Sequence, residues 1–335
     1  MLRRFCLVLS TVLGCGQPPQ DRHDASAMID ARVDAPSIDT HGDAPVGTTC
    51  IPDPMAGHRT YDCEGISFDV EVPQACVDGG HCGLILDVHG LTMSAAMEEA
   101  NDKLRTHALD YVIVQPNANP APPQASWGAA DEPKVFNFLM QAITAYSVDT
   151  RRVHMTGFSQ GGFMTWRFLC AHADVFASVA PAAAASNCPV LGNPAGPPAC
   201  SFTGTELPSR KISILYMHGS ADHNYIPFSC AQPQVDAIVG AWGLTPNGIV
   251  ASSPTFTRTR WSDGSGTVLE FLAHDYSSTA QVPFVSLSQL QGHCFPGSTD
   301  PGTQPGQLFS FKCEQPASFV WGSEVVDFFR AHPGS

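Results

Sequence analysis

Positive charge is what this sequence lacks most. Lys and Arg together number 17 against 31 Asp and Glu, a formal net charge of −14. Nucleic-acid binding rests on cationic side chains that neutralise phosphates, so no nucleic-acid partner is expected. No apolar run reaches membrane-spanning length either. The stretch Phe5 to Leu13 is too short, and no other segment approaches it. Paired Cys-x-x-Cys motifs are also missing, which leaves no zinc site to read. What remains is a chain of 335 residues, 43% of them hydrophobic, enough for a sizeable core.

The beginning, MLRRFCLVLSTVLGCGQ, has the form of an export signal, with Arg3 and Arg4 ahead of a short apolar stretch. Its end, Val12-Leu13-Gly14-Cys15, resembles a bacterial lipobox. That resemblance makes residues 1–15 a signal peptide and Cys15 the lipidation site; an ordinary signal peptide with a chance cysteine is the alternative. Residues 16–49 are rich in Asp, Ala and Pro and have no apolar periodicity, so they read as a disordered tether. Residues 50–335 are left as the folded domain. Membrane association is expected only through a lipid anchor, in the cell envelope or outside the cell. Without Cys6 and Cys15, ten of the twelve cysteines remain. An even number in an exported chain implies disulfides. Cys76–Cys82 and Cys188–Cys200 are the natural local pairs.

Beyond the tether, strand and helix patterns alternate. SFDVEVP (67–73) alternates apolar and polar residues, and LILDVHG (84–90) is a nearly continuous apolar run. A helical pattern over about 94–109 is followed by the strand YVIVQPN (111–117) and by helical spacing in DEPKVFNFLMQAITAYS. RRVHMTG, SVAPAAAA (178–185), KISILYMHG (211–219) and PFVSLSQLQG (283–292) read as further strands, with helices near 161–172 and 231–242. This alternation predicts an α/β protein with a mostly parallel sheet and helices on both faces. Ligands bind such sheets at the carboxyl ends of the strands.

Three polar residues stand at those ends. Gly157-Phe158-Ser159-Gln160-Gly161 falls between a strand and a helix, the setting in which G-x-S-x-G presents a nucleophilic serine. Asp222 follows the strand ILYMHG, and His293 follows the last apolar run. The order Ser, Asp, His is that of α/β-hydrolases. Each has a bland alternative, since Asp222 suits an Asx-turn and His293 is one of 13 histidines. Asp263, Asp275 and His274 are the fallback choices. The oxyanion donors expected in this fold are the N–H of Gln160 and that of Leu91 or Thr92, after the strand end His89-Gly90. His89 reads as a structural residue holding that loop.

The HG after LILDV, together with GFSQGG, HGSAD and GHCFPG, resembles the secreted esterases related to poly(3-hydroxybutyrate) depolymerases and feruloyl esterases. The resemblance covers roughly residues 60–330. It implies the α/β-hydrolase fold and a triad of Ser159, Asp222 and His293, with Phe295 standing where that group commonly has a tryptophan. It also implies an ester substrate, either a hydroxyacid polyester or a plant-type aromatic or acetyl ester. No metal or organic cofactor is needed for such chemistry. Trp127, Phe158 and Phe295 are the expected substrate-binding aromatics. A serine peptidase on the same fold and a non-catalytic surface binding lipoprotein are the alternative functions.

Overall fold

The computed structural model describes residues 49–79, 81–186, 188, 200, 202–204, 206–283 and 288–334. The expected signal peptide, the lipidation site Cys15 and all of the tether but Thr49 lie outside these residues. Ten strands form one sheet: β1 (Gly57–Cys63), β2 (Ile66–Val72), β3 (Gly83–Val88), β4 (Tyr111–Asn117), β5 (Val153–Phe158), β6 (Ser178–Ala182), β7 (Ser213–Gly219), β8 (Thr245–Ser253), β9 (Phe256–Ser262) and β10 (Val268–His274). Their spatial order is β1-β2-β4-β3-β5-β6-β7-β10-β9-β8. The six strands from β4 to β10 in that order are parallel, and antiparallel pairs extend the sheet at both edges.

The sequence pattern explains the layering. Every residue of β3 is buried, because its side chains point alternately into two cores. Leu84, Leu86 and Val88 face one core, and Ile85 the other. Helices α1 (Gln74–Val77), α2 (Ala95–Asp102), α3 (Leu104–His107), α4 (Glu132–Ala145), α5 (Gln160–Ala171), α6 (Ala231–Trp242) and α7 (Trp321–Ala331) follow in chain order. Phe138 and Leu139 of α4, Phe163 and Trp166 of α5, and Ile238 of α6 join the core of Leu84. Met97 of α2, Leu104 of α3, and Val325 and Phe329 of α7 join that of Ile85. In α4 the buried positions Val135, Phe138, Leu139 and Ala142 fall on one stripe, as a helix facing a core requires.

Register brings the strand ends level. Val88 pairs with Gly157, Phe158 with Ala182, Ala182 with Met217, and Gly219 with His274. The loops after β3, β5 and β7 therefore leave the sheet along the same edge.

Three expectations need correction. The helix expected over 94–109 is broken at Lys103, which adopts φ 62° between α2 and α3. Among the described residues of the run 283–292 none joins the main sheet, and only Gln289–Gln291 is extended, as β12, which pairs with β11 (Ser278–Gln281) in a separate two-stranded sheet; residues 284–287 lie outside the described set. The last parallel strand is β10, whose charged Glu270 is wholly buried against Arg258 and Arg260 of β9. That buried ion cluster disguises the strand in a hydropathy pattern. Finally, Cys188 does not pair with Cys200. The disulfides are Cys50–Cys63, Cys76–Cys82, Cys170–Cys200, Cys188–Cys230 and Cys294–Cys313. Cys170 near the end of α5 and Cys230 at the start of α6 take the partners that chain proximity suggested for each other.

Candidate active site

The turn between β5 and α5 is built by steric necessity. A Cβ on Gly161 would lie 1.7 Å from the Val88 carbonyl oxygen, one on Gly157 2.6 Å from Gly161, and one on Gly162 2.5 Å from the Ala182 carbonyl oxygen. Only glycine lets the helix start this close to β3 and β6. Ser159 itself takes φ 53° and ψ −114°, a conformation that costs a non-glycine residue about 1–3 kcal/mol and turns its hydroxyl out of the sheet. Its N–H is held by the Ala182 carbonyl at 2.9 Å. A sharp serine turn at the end of the fifth strand, flanked by parallel strands in the order 4-3-5-6-7, has the strand-turn-helix geometry in which α/β-hydrolases carry their G-x-S-x-G turn. The chain has the α/β-hydrolase fold.

Around the elbow this fold brings Ser159, His293 and Asp222 together. The Ser159 Oγ lies 2.9 Å from His293 Nε2, and His293 Nδ1 lies 2.7 Å from Asp222 Oδ2. The other Asp222 oxygen accepts the N–H groups of Tyr225 and Ile226, both at 3.2 Å. Fixed by those two donors and wholly buried, the carboxylate leaves one oxygen for the imidazole. Two glycines set the distance between the Asp222 and His293 loops. A Cβ on Gly219 would lie 2.1 Å from the Gly292 carbonyl oxygen, and one on Gly292 2.4 Å from the Asp222 nitrogen. The His293 loop is closed from the other side by Cys294–Cys313 and by the Phe295–Phe311 and Cys313–Phe295 backbone bonds. His293 is also flanked by two rings, Tyr225 at 5.2 Å and Phe158 at 4.9 Å.

Behind Asp222 stands a second histidine that the sequence reading did not consider. His218 accepts the Tyr216 hydroxyl at Nδ1 and donates from Nε2 to the Ile226 carbonyl, each at 2.8 Å. Burial lowers its pKa, so it stays neutral 3.8 Å from Asp222. The fallback acids have other work. Asp275 accepts the Ser220 hydroxyl, and Asp263 caps the turn to Ser265 and Thr267. His274 is buried, with Nδ1 unpartnered, and burial lowers its pKa to about 3.

The loop after β3 lies against the nucleophile, since a Cβ on Gly90 would be 3.2 Å from that of Ser159. His89 holds this loop, as read from the sequence. Its Nδ1 donates to the Gly90 carbonyl at 2.7 Å and its Nε2 accepts the Ala118 N–H at 3.0 Å. Burial lowers its pKa to about 4, and the bond accepted from Ala118 at Nε2 requires the neutral ring. The Thr92 N–H is not free for an oxyanion, because it donates to the Ala125 carbonyl at 2.8 Å. Leu91 N–H has no acceptor among the described residues, and Gln160 N–H opens α5, where a helix leaves its first amides unpaired.

The aromatic expectations also change. Trp127 is 1% exposed, and Phe158 and Phe295 are fully buried, so none of the three presents a face to a substrate. Trp127 instead ties loops together. Its indole N–H donates to the His89 carbonyl at 2.9 Å, and its backbone N–H donates to the Gln160 side chain at 2.8 Å. Phe158 and Phe295 pack on each other at 4.1 Å behind His293. The strap Ala125–Trp127 was missed as a unit because its contacts are mostly backbone groups, which no side-chain pattern announces.

No family model matches the chain. Among curated proteins it is 26% identical over 164 residues to a bifunctional acetylxylan esterase/xylanase of Neocallimastix patriciarum, covering 48% of this chain and 22% of that one. It is 27% identical over 255 residues to poly(3-hydroxyalkanoate) depolymerase C of Paucimonas lemoignei, covering 67% of this chain and 57% of the relative. The chain thus spans less than two thirds of the length of either relative. Among solved structures, an acetyl xylan esterase from Aspergillus awamori superposes with a TM-score of 0.49 at 15% identity, over 62% of this chain and 87% of that one.

Proposed function

We propose that the protein is a serine hydrolase of carboxylic esters, with Ser159 as nucleophile, His293 as general base and Asp222 as the orienting acid. The observation that carries this reading is the unbroken chain of hydrogen bonds from Asp222 through His293 to a serine on a strained elbow. His293 takes the Ser159 proton as the oxygen attacks the ester carbonyl. The N–H groups of Leu91 and Gln160 hold the oxyanion. The proton passes to the leaving alcohol, and water then repeats the sequence on the acyl-enzyme.

The substrate class follows from what the relatives are named for and from what the site lacks. Acetylxylan carries acetyl esters on a polymer, and poly(3-hydroxyalkanoate) is a polymer whose own chain is built of hydroxyacyl esters. With Trp127, Phe158 and Phe295 buried, no aromatic stack from these residues favours a feruloyl group. An acetyl or short hydroxyacyl ester, polymeric or small, is the reading we adopt. Five disulfides suit an oxidising compartment. They support an exported protein whose residues 1–15 direct export, whose Cys15 carries lipid, and whose residues 16–49 tether the catalytic domain 50–335. No helix among the described residues is long and apolar enough to cross a membrane.

The test is labelling of the purified protein with a fluorophosphonate probe, together with turnover of nitrophenyl acetate and of peptide anilides. An adduct on Ser159 with ester but no anilide cleavage is the expected result. A correctly disulfide-bonded sample that does not label would overturn the proposal and leave a binding module.

A further inference from the structure

Beneath the oxyanion loop lies a group of acids that the ester chemistry does not use. Asp87 is on β3, two residues before His89, and Glu98 and Asp102 are one turn apart on α2. Each is 1% exposed, and one carboxylate oxygen from each lies within 4.8 Å of the others. Two of the three have a hydrogen-bond donor: Gln115 donates to Asp87 Oδ2 at 2.7 Å, and Leu104 N–H to Asp102 Oδ1 at 3.2 Å. The remaining oxygens Asp87 Oδ1 and Glu98 Oε2 are buried with no partner at all.

The nearest guanidinium does not relieve this. Arg105 is turned to the Gln115 side-chain oxygen and to Glu99, and reaches Asp87 only through the Gln115 amide. Three carboxylates buried together without a counter-ion are far too costly to persist as they stand. Either protons or a cation must sit among the free oxygens. One oxygen braced by an N–H and the other left open is how protein carboxylates are prepared as metal ligands. An all-oxygen set excludes softer metals in favour of hard ones, and two Ca–O bonds of about 2.4 Å span the same distance as the cluster.

We propose that Asp87, Glu98 and Asp102 form a site for a hard divalent cation of the Ca²⁺ or Mg²⁺ class, which clamps α2 to the end of β3. Water or backbone carbonyls would complete its coordination. The ion touches neither substrate nor Ser159. It acts through position: Asp87 lies one residue before the end of β3, and the loop of His89, Gly90 and Leu91 follows directly. Occupancy therefore governs both the stability of the domain and the placement of one oxyanion donor.

The experiment uses the full chain stripped with chelator, titrated calorimetrically with calcium chloride and, separately, with magnesium chloride near pH 7.5. The expected result is one ion per chain and a melting temperature raised by roughly 5 °C or more at a hundredfold excess over Kd. Asp102→Asn and Glu98→Gln should lose that response, while Ser159→Ala should keep it, so the outcome does not depend on the ester reading. Esterase turnover should show the ion in kcat with KM little changed. The proposal is overturned if neither ion binds or shifts melting, and equally if Glu98→Gln or Asp102→Asn stabilises the ion-free protein and the added ion changes nothing. Either result would mean that shared protons hold the carboxyls together.

Discussion

Ser159 sits between two loops that each carry a buried histidine, and the two differ in what the imidazole is bonded to. In the base loop, His293 has a carboxylate on one nitrogen and a hydroxyl on the other. In the oxyanion loop, His89 has a carbonyl on one and a backbone N–H on the other. The first ring can gain a proton and have the resulting charge met by Asp222. The second cannot, because a proton on Nε2 would break the Ala118 bond and bury an unpaired charge. Burial alone therefore does not tell the two histidines apart; the partners do.

The largest effects should come from the base side. Ser159→Ala and Asp222→Asn should each lower kcat by about 10⁴ or more while circular dichroism and melting stay near the parent, whereas Asp275→Asn should leave kcat within a few-fold. Near-normal turnover in Asp222→Asn would move the orienting acid elsewhere. Next is Gly292→Ala, which forces a methyl against the Asp222 nitrogen and so pushes the acid and base loops apart. A loss of roughly 100-fold in kcat is expected, since small misplacements of reacting groups have effects of that size.

On the oxyanion side the effects should be smaller. Trp127→Phe removes the indole bond to the His89 carbonyl and keeps the packing, so kcat should fall by about 10-fold with KM little changed. An unchanged KM with lower kcat would separate loop positioning from substrate contact; a raised KM alone would return Trp127 to the binding surface. The last prediction concerns stability. His89 titrates near 4 in the folded protein against about 6.5 in the unfolded chain, so acid protonates the unfolded state first. Its neutral bonds are at full strength above pH 6.5, and stability drains as pH falls towards 4, by on the order of 3 kcal/mol in all. In His89→Gln, unfolding by denaturant across that range should show a correspondingly shallower dependence on pH. A slope equal to the parent's would mean that His89 is not held neutral.

Much of this fold can be read without coordinates. The elements β2, β4, α4, α5 and α6 lie within a residue or so of where periodicity puts them, because each buries a face long enough to leave a clear period. The elbow and the order Ser159, Asp222, His293 are visible because strand ends and glycine turns are local events. Other features hide. β10 is masked by Glu270, whose burial makes sense only beside the arginines of β9. The described end of the run 283–292 shows the opposite error, since Gln289–Gln291 joins β11 in a separate two-stranded sheet and not the main one. Cys188–Cys200 fails because chain proximity is a poor guide once α5 and α6 offer nearer sulfurs. Thr92 and Trp127 look available in sequence and are spent on Ala125 and His89.

Sequence alone determined where the chain bends and which chemistries it carries, since periodicity, glycine and side-chain type act over a few residues. The tertiary structure decided which of those groups meet. Asp87 comes from one strand and Glu98 and Asp102 from the next helix, and no spacing along the chain says that their carboxylates face one another. Hydrogen bonds and charges act over a few ångströms of space, and only the folded sheet brings residues scores of positions apart within that reach.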